Sequence, residues 1–234
     1  MSEREPFEAP SRDGGGRDSR GQRTRQALQD AAFRLMEGDK SFSALSLREV
    51  AREAGVVPTA FYRHFRDMKE LGLALVDETM RTLRQAIRAA RSAGPVVSEE
   101  QAIRSAVETL ARHVQAHRLH FRFIARELAS GRTAMRQAIR HEVDLFLREL
   151  ALDLSRMPAL IQWSTEDLQM MASLIVNILI DTAEQLLDVP ARRPEAEEAV
   201  IRMAEKQLRL IMLAATLWPQ ESAAGLAARD GKGQ

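Results

Sequence analysis

Apolar residues recur along most of this chain at spacings of three and four, the period of amphipathic helices, while β-branched runs are scarce. The pattern predicts an all-α protein. A first helix, about Gln22 to Glu37, carries Leu28, Ala31, Ala32 and Leu35 on one face. Gly38 ends it, and Phe42 and Leu45 in the following loop are placed to plug a small core. Asp67 and Glu70 have the spacing of a capping box and open a longer helix to about Ser92, striped by Val76, Met80, Leu83 and Ile87 and terminated by Gly94-Pro95. Ser98 caps the next helix, which reaches about Gln115. A segment rich in Leu119, Phe121, Phe123 and Ile124 follows, with a bend expected near His117. Another helix from Gly131 to about Asp153 turns Val143, Phe146, Leu147 and Leu150 inward, and Pro158 breaks it.

The last two helices are apolar on more than one side. From Ser164 to Asp188, Leu168, Met171, Ala172, Ile175, Ile178, Leu179 and Leu186 form a wide stripe. From Pro194 to Trp218, Val200, Ala204, Leu208, Ile211 and Ala215 form another. A helix apolar all round must be covered all round. Pairing with the same two helices of a second copy, as a four-helix bundle, would remove the exposed patch. The predicted homodimer interface is Ile178, Leu186, Val200, Ala204, Leu208, Ile211 and Ala215. The alternative is an interior helix pair in a monomer.

Chemistry is concentrated between Ser46 and Phe65, SLREVAREAGVVPTAFYRHF. Ser46 and Glu49 form a capping box. Leu47, Val50, Ala51 and Ala54 share one face of a short helix, and Gly55 marks a turn needing a left-handed backbone. Pro58 opens a second helix. Phe61 and Phe65 point inward, so Pro58, Thr59, Tyr62 and Arg63 face outward, as in a helix-turn-helix that offers its second helix to the major groove. An ordinary αα-hairpin would waste Tyr62, the only Tyr in the chain, on that outer face. The run AREAGVVPTAFYRHFRDMKEL resembles the DNA-binding signature of the TetR family of bacterial transcriptional regulators, over roughly Thr24 to Leu75. Val57 departs from it, since many members cap the recognition helix with Ser there; Pro58 partly compensates by presetting φ. The Pro-Thr-Ala-Phe variant resembles the branch that represses genes of fatty-acid desaturation or unsaturated fatty-acid synthesis.

The resemblance implies an N-terminal three-helix DNA-binding domain and a C-terminal helical ligand-binding and dimerisation bundle. The expected boundaries are a disordered basic arm over 1–21, the helix-turn-helix domain over 22–66, the ligand and dimerisation domain over 67–219, and a disordered tail over 220–234. Pro58, Thr59, Ala60, Tyr62 and Arg63 are expected to meet bases or backbone of a palindromic double-stranded operator. Arg23, Thr24, Arg25, Ser46, Leu47, His64 and Lys69 are expected at phosphates or the minor groove. For the effector, Phe121, Phe123, Phe146, Met170, Met171 and Ile175 offer aromatic or flexible side chains. Arg118 and Arg122, in a row with Arg126, could hold the phosphates of a long-chain acyl-coenzyme A, although such rows are more often solvated faces.

Composition narrows the classes. With 34 Lys+Arg against 33 Asp+Glu the net charge is +1, too little for an architectural DNA binder. Cysteine is absent, which excludes disulfides, thiolate catalysis and Cys-based metal sites. His113, His117 and His120 could align as a metal face on one continuous helix, but the expected bend and the lack of a completing carboxylate argue against metal. No Gly-rich phosphate loop, nucleophile elbow or carboxylate pair suggests an enzyme or a cofactor. No signal segment or apolar run of about eighteen residues is present, so the expected location is the cytoplasm, away from membranes. The leading expectation is a repressor responding to long-chain acyl-coenzyme A. The alternatives are a regulator of an efflux or catabolic operon induced by another hydrophobe and, remotely, a helical enzyme.

Overall fold

The computed structural model describes residues 15–38, 40–92, 98–129, 133–190 and 193–218. Every regular element among them is helical: α1 (Gly15–Leu35), α2 (Leu47–Glu53), α3 (Pro58–Phe61), α4 (Met68–Ser92), α5 (Glu99–Ala116), α6 (Arg118–Ala129), α7 (Thr133–Leu154), α8 (Thr165–Asp188) and α9 (Pro194–Ala215), with short 3-10 turns at Phe42–Ala44 and Pro158–Leu160. The all-α expectation is met. Contacts divide the chain into two compact units, Met1–Ala74 and Leu75–Gln234. The division falls inside α4 rather than at 66–67, because Leu71 is fully buried and the Gln29 side chain donates to the Ala74 carbonyl, so the first turns of α4 are counted with the small unit.

In the first unit, Leu28, Ala31 and Ala32 of α1 are fully buried, and Phe42 and Leu45 close the core as expected. α1 begins at Gly15, seven residues before the predicted start at Gln22, so residues 15–21 are helical and not part of a disordered arm. Residues 17–23 include three arginines, good helix formers that continue the helix without any apolar period to announce them. Residues 1–14 of the predicted arm, the terminator at Gly94-Pro95, the helix start expected at Gly131 and the tail over 220–234 lie outside the described residues.

The local signals of the helix-turn-helix are present. Glu49 N–H donates to Ser46 Oγ at 3.3 Å, while Ser46 N–H donates to Glu49 Oε2 at 2.9 Å, a capping box that satisfies two unpaired donors at the start of α2. Gly55 turns the chain with φ +71, a conformation that costs other residues about 1–2 kcal/mol. α3 is shorter than expected. After Phe61 the bonding tightens, with Arg63 N–H donating to Ala60 O and His64 N–H to Phe61 O, before Phe65 N–H reaches Phe61 O at 3.0 Å. No side chain caps its start at Val57, and Pro58 supplies the preset φ instead.

In the second unit, Ser98 and Ser164 cap α5 and α8 through bonds from the Gln101 and Asp167 N–H groups. The chain bends at His117, φ −129 and ψ 38, so α5 and α6 are separate helices. α8 is long and apolar enough, by length and composition, to cross a membrane. Here it packs against α5, α6, α7 and α9, and Ala172 and Leu186 on it are fully buried. One core gathers Ile103, Leu154, Leu168, Met171 and Leu208, and another gathers Leu110, Val114, Ala183 and Leu186.

Glu49 gives this fold a pH dependence. The hydrogen bond from Lys40, followed by those from the Ser46 hydroxyl and N–H, lowers its carboxyl from 4.5 to about 2. A depressed carboxyl stabilises the folded chain above its unfolded value, and that contribution fades as pH falls toward 2. Glu49→Gln should therefore be less stable than the parent at about pH 5, and the gap should close by about pH 2, measured by urea unfolding. An equal gap at both pH values would contradict this assignment.

Candidate nucleic-acid interface and effector cavity

The reading face is set from inside. Phe61 and Phe65 are buried at 0% and 1% exposure, their rings 5.6 Å apart. This anchors the inner side of α3 and leaves Pro58, Thr59, Tyr62 and Arg63 exposed, Tyr62 by 63%. Val57, which the sequence placed in the turn, is 64% exposed at the start of α3. It adds apolar surface of the kind that meets a thymine methyl. Tyr62 and Thr59 can hydrogen-bond base edges or phosphates, and Arg63 brings a charged fork. Ala60 and Leu47 are half-buried, and Lys69, Ser46 and Arg23 are exposed.

Two residues expected at phosphates already bond within this unit, and a third is uncharged at neutral pH. Arg25 Nη1 donates to the His64 carbonyl at 2.8 Å and its guanidinium lies 4.3 Å from the Phe65 ring centroid, so Arg25 ties α1 to the end of the reader. Thr24 Oγ1 donates back to the Arg20 carbonyl at 3.1 Å. Burial, then the charges of Arg25 and Arg63, lower the His64 pKa, so at neutral pH its imidazole can hydrogen-bond but brings no charge.

In the second unit a cavity of about 350 Å³ is lined by Met80, Leu83, Arg84 and Ile87 of α4, with walls from α5, α6, α7 and α8. Phe121, Phe146 and Ile175 line it, as their sequence positions suggested. The other expected ligand residues do not. Phe123 and Met171 are 2% exposed and absent from the lining, Met171 belonging to the core around Leu168, while Met170 points outward at 38% exposure. Arg122 is exposed. Arg118 donates to the carbonyls of Leu186, Leu187 and Val189, capping the C-terminal end of α8, where a cation meets unpaired carbonyls and the negative end of the helix dipole. Sequence reading missed an ion pair at the cavity wall, between Arg84 on α4 and Glu142 on α7, because its partners are 58 residues apart and neither stands out locally.

The bend interrupts the helix at His117 but keeps the three histidine rings adjacent. The His113 and His117 rings are 4.5 Å apart and those of His117 and His120 5.4 Å. Burial, then the charges of His117 and His120, push His113 down to about 4. No group able to hold a metal occurs among the described residues.

The predicted interface stripe also changes side. Leu186, Ala204, Leu208 and Ala215 are buried within the chain itself, and Ile178, Val200 and Ile211 pack against the same cores. Leu186, Ala204, Leu208 and Ala215 hold the chain's own helices together, while Ile178, Val200 and Ile211 keep part of their surface exposed. On α8 and α9 the large apolar residues left exposed are Met170, Leu174, Met203, Leu210 and Leu213, with Leu217 and Trp218 just beyond; Leu210 is 68% and Leu213 65% exposed.

Two family models match this chain. One, described as bacterial regulatory proteins of the tetR family, covers residues 28–75; the other, a tetracyclin repressor-like C-terminal domain, covers residues 99–213. Solved structures share the fold at low identity. A transcriptional regulator from Rhodococcus sp. RHA1 is 21% identical, with 85% of this chain and 99% of that one covered and a TM-score of 0.64. A TetR-family regulator from Streptomyces coelicolor is 18% identical over 81% and 96%, at 0.63. The fatty acid degradation regulator FadR from Bacillus halodurans is 13% identical over 86% and 96%, at 0.61.

Arg63→Ala should weaken binding to a cognate operator by ~1–3 kcal/mol, as loss of a base-reading arginine does. Fluorescence anisotropy on cognate and random duplexes checks it. An equal loss on both, with a shallower salt dependence, would make Arg63 a phosphate contact. No loss on either would remove α3 from the groove.

Proposed function

Because the chain belongs to the TetR family of bacterial regulatory proteins and is a DNA-binding transcriptional regulator, we propose that it is a homodimeric repressor controlled by a long-chain acyl compound. The single observation that carries the effector reading is the apolar cavity of about 350 Å³, walled by Leu83, Ile87, Phe121, Val143, Phe146, Leu150 and Ile175. Cavities of this size suit small molecules with large apolar portions. Each buried methylene contributes about 0.8 kcal/mol, so affinity should rise steeply with chain length until the cavity is full. The Pro-Thr-Ala-Phe variant at the start of the reader favours genes of fatty-acid desaturation or unsaturated fatty-acid synthesis as targets.

Pairing through the uncovered faces of α8 and α9 would hide Leu174, Leu210 and Leu213. A two-fold dimer would place two copies of α3 in successive major grooves, about 34 Å apart for one helical turn. α4 belongs to both units and lines the cavity through Met80, Leu83 and Ile87. An effector that prefers one arrangement of α4 would shift the equilibrium between dimers that fit the operator and dimers that do not.

The test is operator binding titrated with saturated and unsaturated acyl compounds of equal length, each as free acid and as coenzyme A thioester. A bent and a straight chain should change DNA affinity unequally. If no acyl compound changes it below micelle-forming concentration, the acyl reading is wrong and the efflux or catabolic alternative takes its place.

A further inference from the structure

Among the described residues, Arg84 is the one cation lining the cavity, and it is already paired with a carboxylate, that of Glu142. The two side chains are only 23% and 16% exposed, beside Leu83, Ile87, Val143 and Phe146. Such a half-buried pair is weak evidence for stability, because desolvating both ions offsets most of their attraction, and apolar side chains would join α4 to α7 as well. What the pair does supply is a formed carboxylate seat at the wall of an apolar chamber.

Resting on the reading of this cavity as the effector site, we propose that Arg84 anchors the head of an amphiphile with an aliphatic tail and one free carboxylate. Glu142 holds the seat when the cavity is empty. A ligand carboxylate reproduces the contact that Glu142 makes, and Glu142, partly exposed, turns toward water as it is displaced. An ammonium head finds no partner at this seat while Arg84 holds it, and the other lining carboxylate, Glu99, is exposed at the start of α5. A thioester carbonyl is neutral and offers Arg84 no charged partner, so the anchor selects the free acid. Its occupation also breaks the side-chain tie between α4 and α7, which links head-group recognition to the position of α4.

Isothermal titration of the full chain with cis-9-hexadecenoic acid, its methyl ester and its coenzyme A thioester, all below micelle-forming concentration, tests the anchor. The acid should bind at least about tenfold more tightly than the ester, the advantage of a charge-assisted over a neutral contact. Arg84→Gln should erase that preference while leaving ester affinity within about twofold, and Glu142→Gln should strengthen acid binding by removing the internal competitor. The acid-to-ester ratio of the parent needs no variant, so a misfolded Arg84→Gln does not remove the test. Equal binding of acid and ester, a tighter thioester, or an Arg84→Gln that weakens acid and ester alike overturns the anchor and leaves the acyl reading standing. If none of the three binds, both fall.

Discussion

The second unit depends on covering α8. A helix that apolar cannot leave its sides in water, and α5, α6, α7 and α9 pack around it to bury Leu168, Met171, Ala172 and Leu186. Ridges and side chains of several helices meeting one central helix do not fill every space between them. Where Phe121, Phe146 and Ile175 face α4, the gap is the cavity. The same covering leaves Met170 and Leu174 of α8 and Leu210 and Leu213 of α9 exposed. Core, cavity and uncovered face are therefore three consequences of one packing problem.

The first unit solves a smaller problem in a similar way. α2 and α3 are too short to hold themselves, so their geometry comes from caps and anchors. The capping box fixes the start of α2, Gly55 sets the turn, and Phe61 and Phe65 lock α3 to the core. Arg25 closes the arrangement by bonding the His64 carbonyl and covering the Phe65 ring. With the inner side fixed at so many points, Thr59, Tyr62 and Arg63 have only the outer side, a rigid display that would lose little entropy in the proposed contact with DNA.

Much of this was legible in the sequence because it is local. Ser46 and Glu49, Gly55, the Phe61–Phe65 spacing and the bend near His117 all act within a few residues, and each is found where the sequence implied it. The losses are of two kinds. Periodicity reveals an apolar stripe without saying whose core it serves, so Leu208 and Leu186 were expected at a partner and instead hold their own chain. Contacts between distant residues leave no local trace: Arg118 looked like a phosphate ligand until the carbonyls of Leu186, Leu187 and Val189 were beside it, and the Arg84–Glu142 pair was not visible at all. The early start of α1 was hidden for another reason, since a polar helix carries no hydrophobic period.

In the proposed dimer, one face of α8 and α9 builds the chain while the other pairs two chains into a DNA reader. Leu213→Glu, on the outer face, places a charge where the pairing would bury it and where a folded monomer leaves it in water. Sedimentation velocity with circular dichroism and operator binding on the same sample reads all three consequences. The expected result is a fully helical monomer that has lost high-affinity operator binding with its reader intact. A Leu213→Glu protein that remains a dimer and binds the operator as the parent does would contradict it.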